Sequence, residues 1–78
     1  MNIRKRTFLI VRVGREYMVG WNAVMNRPNF STSPWDAWRT RDREIAGRVA
    51  ERIGGKLILF NPVAAQIREY ERNPFKCG

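Results

Sequence analysis

Residues 7–21 read TFLIVRVGREYMVGW and predict a β-hairpin at the start of the fold. The first seven of these residues are rich in β-branched and aromatic side chains and almost continuously apolar, which is typical of a strand inside a sheet. Gly14 then opens a two-residue turn. The second half resumes an extended pattern that predicts Tyr17, Val19 and Trp21 on one face. The stretch therefore predicts a central strand followed by its pairing partner.

The next twelve residues, 22–33, hold two groups of turn formers and predict a surface loop. Ser33 is suited to cap a short turn that has Pro34 at its first position. Helical spacing within that turn predicts Trp35 and Trp38 on the same side.

A helix is predicted to begin at the cap Thr40 and to end at Gly54-Gly55. Its apolar residues recur at helical spacing between Ile45 and Ile53. Gly47 inside this helix costs about 1 kcal/mol relative to alanine, so we expect it to permit close contact with another backbone.

Residues 56–60 are apolar and predict a third strand. Asn61-Pro62 ends this strand and offers a cap for a second helix. Helical spacing continues over residues 63–70, although this segment could equally run along the edge of the sheet.

The order of these elements predicts an α+β domain with a three-stranded antiparallel or mixed sheet in the order 2-1-3. The main helix packs on one face, which gives a ββαβ core plus a C-terminal helix. A right-handed crossover places the first strand in the middle. At this length we expect one domain, residues 1–78, with residues 1–5 and 73–78 flexible.

The charge balance favours a binding protein over an enzyme. Twelve arginines and three lysines stand against seven acids, there is no histidine, and the formal net charge is +8. Neutral-pH catalysis usually needs histidine, a reactive cysteine or clustered carboxylates, whereas surplus guanidinium suits phosphate or an acidic protein surface. The acids are scattered and Cys77 is the single cysteine. We therefore predict no catalytic residue, no metal site and no cofactor.

A cytoplasmic location without a membrane partner is expected. The basic Arg4-Lys5-Arg6 is followed by only seven largely apolar residues before charges resume, too few for a signal peptide or a membrane span. A single cysteine cannot form an internal disulfide, which fits a reducing compartment.

The strongest candidate for binding is residues 35–43, where two tryptophans lead into three arginines at alternate positions. Rings and guanidinium groups side by side can stack on unpaired bases and hold phosphate. The alternative is a packed turn with both tryptophans over the sheet and solvated arginines. Two further basic patches lie at the N-terminus and on the outer helix face. The full candidate set is Trp35, Trp38, Arg39, Arg41, Arg43, Arg48, Arg52, Arg4, Lys5 and Arg6.

Three segments, Tyr17–Asn22, Asp36–Thr40 and Ala46–Leu57, resemble a pattern in small phage and prophage accessory proteins. The pattern is a hairpin ending in an aromatic residue, a turn with alanine before an aromatic residue, and a short helix closing on Gly-Gly before a strand. The resemblance implies no single activity, but some such proteins are anti-CRISPR or other anti-defence inhibitors that bind a host nucleoprotein enzyme. Many of those inhibitors are acidic DNA mimics, whereas this basic chain favours competition for an acidic or RNA-bearing surface.

Two functions follow as hypotheses. The first is a nucleic-acid-binding module that contacts mainly backbone, and the second is a phage-type inhibitor that docks onto a host protein or nucleoprotein complex. A homodimer is a further option, because domains this small often gain stability by association. Only the first hypothesis requires salt-sensitive affinity for isolated DNA or RNA.

Overall fold

The computed structural model describes residues 7–69, and this part of the chain contains five strands and one α-helix. The strands are Phe8–Val13 (β1), Glu16–Asn22 (β2), Arg27–Ser31 (β3), Lys56–Asn61 (β4) and Gln66–Glu69 (β5), and the helix is Arg43–Ile53 (α1). All five strands pair antiparallel in one sheet with the order β3-β2-β1-β4-β5. The residues expected to be flexible, 1–5 and 73–78, lie outside the described part.

The α+β class is as predicted, but the three-stranded sheet is wrong. β3 lies where a loop was expected, because Pro28 and Asn29 were interpreted as turn formers. Both residues sit on an edge strand, where a proline without an N–H group sacrifices no ladder hydrogen bond. Its missing donor also makes this edge a poorer template for pairing with another chain.

The predicted C-terminal helix is also wrong, and the alternative is found: the segment runs along the edge of the sheet as β5. The Asn61 side chain does accept hydrogen bonds from the N–H groups of Val63 (3.0 Å) and Ala64 (3.2 Å). The chain then turns back at Ala65, whose φ is 54°, so the cap leads into a tight turn and not into a helix. Ile67 consequently pairs with Phe60 across β4 and β5.

The first strand is in the middle of the sheet, as predicted, but its two neighbours pair with it unequally. β4 pairs along β1 from Phe8 to Arg12, whereas β2 pairs only at Arg12 and Val13, next to the turn. Beyond that point the segment 38–40 lies between β1 and β2. Its hydrogen bonds run from the Trp38 N–H to the Met18 carbonyl (2.9 Å), from the Leu9 N–H to the Thr40 carbonyl (2.7 Å) and from the Thr40 N–H to the Leu9 carbonyl (3.1 Å).

This insertion carries the chain from one face of the sheet to the other. Partners in an antiparallel pair share a face, and neighbours along a strand alternate. One face, here called the helix face, packs Val11, Met18 and Ala50 together beneath α1. The opposite face, here called the loop face, packs Ala37 of the loop against Ile10, Tyr17, Ile58 and Phe60.

The shared facing predicted for Tyr17, Val19 and Trp21 is wrong. The register of β2 against β3 shifts between Met18 and Gly20. Because one extra residue reverses the facing of every later side chain, Trp21 lies on the helix face and Tyr17 on the loop face. Arg52 of α1 confirms this placement, since its guanidinium carbon lies 4.9 Å from the centre of the Trp21 ring.

The helix begins later than predicted because Thr40 is used in the bridge to Leu9. Asp42 is the cap, and its Oδ1 accepts hydrogen bonds from the N–H groups of Glu44 (3.0 Å) and Ile45 (3.2 Å). The helix ends as predicted at Gly54, which adopts the left-handed conformation with φ 72°.

The expected close approach at Gly47 is wrong, and Gly55 has that role. A Cβ atom built on Gly47 meets nothing within 4 Å. A Cβ atom on Gly55 would lie 2.7 Å from Val11 Cγ1 and 2.9 Å from the Arg12 carbonyl oxygen. The glycine after the helix therefore lets β4 start directly against β1.

Removing the helix cap should lower stability measurably. We expect Asp42→Ala to reduce the free energy of unfolding by about 1 kcal/mol, because two N–H groups lose their acceptor. Asp42→Asn, which keeps the acceptor oxygen, is the control and should stay near the wild type in urea unfolding. Equal losses in both variants would show that charge, and not capping, is what Asp42 supplies.

The two glycines should respond to alanine in opposite directions. Gly47→Ala should raise the free energy of unfolding by roughly 1 kcal/mol, because the site has room and alanine favours the helix. Gly55→Ala should lower it by about 1 to 3 kcal/mol, because the new methyl group overlaps β1. Thermal unfolding followed by circular dichroism measures both, and a stabilised Gly55→Ala variant would contradict this packing.

Candidate functional site

The loop that crosses the sheet is shaped by two serines. Ser33 caps a 3₁₀ turn at Pro34–Asp36, as predicted, and its hydroxyl accepts a hydrogen bond from the Trp35 N–H at 3.2 Å. The Ser31 hydroxyl accepts from the Ser33 N–H (3.1 Å) and donates to a carboxylate oxygen of Asp36 (3.0 Å). This network fixes the backbone that carries Trp35.

Trp35 rests on the loop face without being buried. Its ring meets Phe60 edge-to-face, with 5.1 Å between the ring centres and planes at 84°. Phe60 is only 1% exposed, whereas Trp35 remains 51% exposed. The indole therefore covers the core on one side and offers the rest of its surface to solvent.

Two of the predicted arginines lie beside this ring. The Arg39 guanidinium carbon is 5.4 Å from the centre of the Phe8 ring and 5.8 Å from that of Phe60, and its Nη2 donates to the Trp35 carbonyl at 3.2 Å. The Arg41 guanidinium carbon lies 4.4 Å from the centre of the Phe8 ring. These five side chains form a continuous line, here called the arginine–aromatic row: Trp35, Phe60, Arg39, Phe8 and Arg41.

The guanidinium groups of Arg39 and Arg41 remain available to bind an anion. A guanidinium that rests its flat face on a ring keeps its N–H groups at the edge, where they can donate to an anion. Arg41 is exposed and Arg39 is half-buried. Among residues 7–69, neither of them forms an ion pair with a carboxylate. The row can therefore hold phosphate or carboxylate groups without first breaking an internal salt bridge.

Trp38 does not belong to the row. It packs on the helix face against the cluster of Val11, Met18 and Ala50, so the prediction that Trp35 and Trp38 share a side is wrong. The cause is the insertion of residues 38–40 between β1 and β2, which puts the two indoles on opposite faces of the sheet. Of the two, only Trp35 keeps half of its surface exposed.

The arginines of α1 stand on the helix face and make other contacts. Arg48 pairs with Glu44 at 3.2 Å, as their spacing predicts, and Arg52 covers Trp21. Arg43 is the first residue of the helix and is exposed. The remaining predicted cations, Arg4-Lys5-Arg6, lie outside the described residues. The structure thus divides the predicted set between two faces.

Phe8 and Phe60 are site residues that the sequence analysis missed, since both were interpreted as ordinary strand residues. They are directly paired across β1 and β4, and the loop brings Arg39 over both. A neighbouring ion pair on the same face, Arg12 with Glu69 at 3.2 Å, ties β1 to the edge strand β5. These two rings meet because β1 and β4, which are distant in the sequence, pair in this register, and the sequence carries no local signal of that pairing.

Two structural features are absent from residues 7–69. This part of the chain holds no group of three or more His, Cys, Asp or Glu side chains arranged to bind a metal ion. None of its helices is long and apolar enough to cross a membrane.

Comparisons with protein-family models, with curated proteins and with solved structures find no significant match to this chain. The function of the chain is therefore inferred from its residues and their geometry.

The stacking of Arg41 on Phe8 can be measured by a double-mutant cycle. Arg41→Gln, Phe8→Leu and the double variant should give a coupling free energy of about 0.5 to 1 kcal/mol in urea unfolding. Arg48→Gln with Phe8→Leu is the control and should be additive, because Arg48 lies on the other face. A zero coupling for Arg41 would show that the contact contributes nothing to the fold.

Proposed function

We propose that this chain is a small basic, non-catalytic binding protein of phage type that binds nucleic acid, or a nucleoprotein complex, through the arginine–aromatic row. The observation that carries the proposal is the position of the Arg39 and Arg41 guanidinium groups over Phe8, beside the exposed ring of Trp35. Guanidinium groups held in this way offer fork-shaped donors that match phosphate.

The charge distribution supports the same ligand. The sequence places three more cations, Arg4-Lys5-Arg6, directly before Thr7, and Phe8 of the row is the next residue. Several cations around one site raise the local concentration of a polyanion and speed its association. Each phosphate neutralised also releases counterions, so binding of this kind weakens steeply with salt.

The alternative function is an anti-CRISPR-like inhibitor that blocks a host defence enzyme by protein–protein contact. A separate observation favours it: Trp21, Phe30 and Ile45 are 43%, 37% and 46% exposed on the helix face. Trp21 and Phe30 come from neighbouring strands, and Ile45 shares the flank of α1 that carries Arg52. Aromatic side chains with a flanking arginine are typical of protein-binding hot spots. In either case the proposed place of action is the cytoplasm, that of the host cell for a phage-encoded chain.

The nucleic-acid proposal is tested by removing two positive charges from the row and, in a control variant, two from the helix face. In fluorescence anisotropy at about 50 mM salt, Arg39→Gln/Arg41→Gln should lose roughly 10-fold to 100-fold in affinity for a labelled single strand, because two charge-assisted phosphate contacts disappear. The slope of log affinity against log salt should shrink by about 1.4, since each contact on a single strand contributes about 0.7.

The matched control is Arg48→Gln/Arg52→Gln, which removes the same charge from the helix face. It should retain the wild-type salt slope and most of the affinity. Equal losses of affinity in both double variants would show that the row attracts nucleic acid only through nonspecific charge. No salt-sensitive binding by the wild type would reject the nucleic-acid proposal and favour the inhibitor.

A further inference from the structure

We infer that Trp35 is a stacking platform for an unpaired base, which makes single-stranded nucleic acid the preferred ligand class of the row. The inference rests on the proposed function and adds to it a contact with bases. Its central observation is a ring that is 51% exposed yet packed edge-to-face on Phe60, which is 1% exposed.

The backbone of Trp35 is held from both sides. Its N–H donates to the Ser33 hydroxyl, and its carbonyl accepts a hydrogen bond from the Arg39 guanidinium. Phe60 supports the ring itself at 5.1 Å between centres. A ring ordered before binding loses little conformational freedom when a flat ligand covers it, and this is what makes an exposed aromatic residue an efficient contact.

The neighbours of the ring suit a nucleotide and not merely a flat apolar group. Arg39 touches the Trp35 backbone and lies over Phe8 and Phe60, and Arg41 continues the row at Phe8. A base stacked on Trp35 would thus have guanidinium donors beside it for its phosphates. Every base has a π-face, so such a platform tolerates many sequences.

Duplex nucleic acid cannot use this platform in the same way. Its bases are already stacked and paired, and exposing one costs a few kcal/mol. A duplex therefore offers only its phosphates to Arg39 and Arg41, whereas a single strand offers phosphates and base faces together. The row distinguishes the two through Trp35 and not through charge.

Trp21 provides the matched comparison on the other face. It is 43% exposed and also lies beneath an arginine, Arg52 at 4.9 Å. Arg52 is the guanidinium that contacts the Trp21 ring, while Arg48 of the same helix is engaged with Glu44. Within residues 7–69, an exposed tryptophan near an arginine is thus present on both faces, and the row beside Trp35 places two guanidinium groups over one ring, Phe8.

The experiment measures the contribution of the bases to affinity separately from that of the phosphates. Anisotropy is measured for a labelled oligothymidylate and for an abasic strand of equal length, which keeps the phosphates and lacks the bases. The wild type should bind the oligothymidylate about 5-fold to 150-fold more tightly, the range given by one stacked base. This ratio should stay nearly constant between about 50 and 200 mM salt, while both affinities fall.

Three variants locate the platform. Trp35→Leu keeps an apolar cover over Phe60 and should abolish the preference for bases while the abasic strand binds as before. Trp35→Phe should retain much of the preference, and Trp21→Leu should retain all of it. Circular dichroism checks that Trp35→Leu is folded, because an unfolded chain of net charge +8 would also attract the abasic strand.

The two proposals fail in different ways. Equal binding of both strands by the wild type, or a preference that survives Trp35→Leu, overturns the stacking inference and leaves phosphate binding by Arg39 and Arg41 intact. Loss of the preference in Trp21→Leu also overturns it, since the platform would then lie on the helix face. Absence of binding to either strand overturns the proposed function itself.

Discussion

The backbone bridge between Leu9 and Thr40 is the interaction on which the rest of this fold depends. Two hydrogen bonds join these residues, at 2.7 and 3.1 Å, at the point where β2 has parted from the central strand. Without the inserted segment, the backbone groups of Leu9 on that side would be buried and unsatisfied, which costs free energy comparable to a lost hydrogen bond. The insertion thus satisfies the centre of the sheet and fixes where the chain changes face.

This crossing decides what each face can do. Residues before it settle on the loop face, where Trp35 meets Phe60, and the helix after it covers β1 and β4 on the opposite face. Arg39 and Arg41, on either side of Thr40, still reach back to Phe8 on the loop face. The arginines of α1 lie on the helix face, because the helix follows the crossing. A short basic stretch is therefore distributed over two surfaces of different character.

The sequence predicts this fold where local signals and tertiary structure agree. The hairpin at Gly14, the cap at Ser33 and the helix end at Gly54 follow from turn and cap chemistry that acts within a few residues. β3 was missed, and β5 was open only as the alternative to a helix, because edge strands contain residues that also form turns, and pairing alone decides between the two. The prediction of which face Trp21 occupies was wrong, because a bulge of one residue leaves no signal in the pattern of hydrophobic residues.

For a related reason, only part of the candidate site could be predicted from the sequence. Trp35, Arg39 and Arg41 stand out as residue types, so composition and spacing identify them. Phe8 and Phe60 are apolar residues in apolar strands, and nothing local distinguishes a ring that supports an arginine from one that only fills the core. Phe60 does both, since it is 1% exposed and contacts Trp35 and Arg39. A binding surface built on a core ring couples affinity to stability, so the supporting rings tolerate change less than the exposed residues they hold.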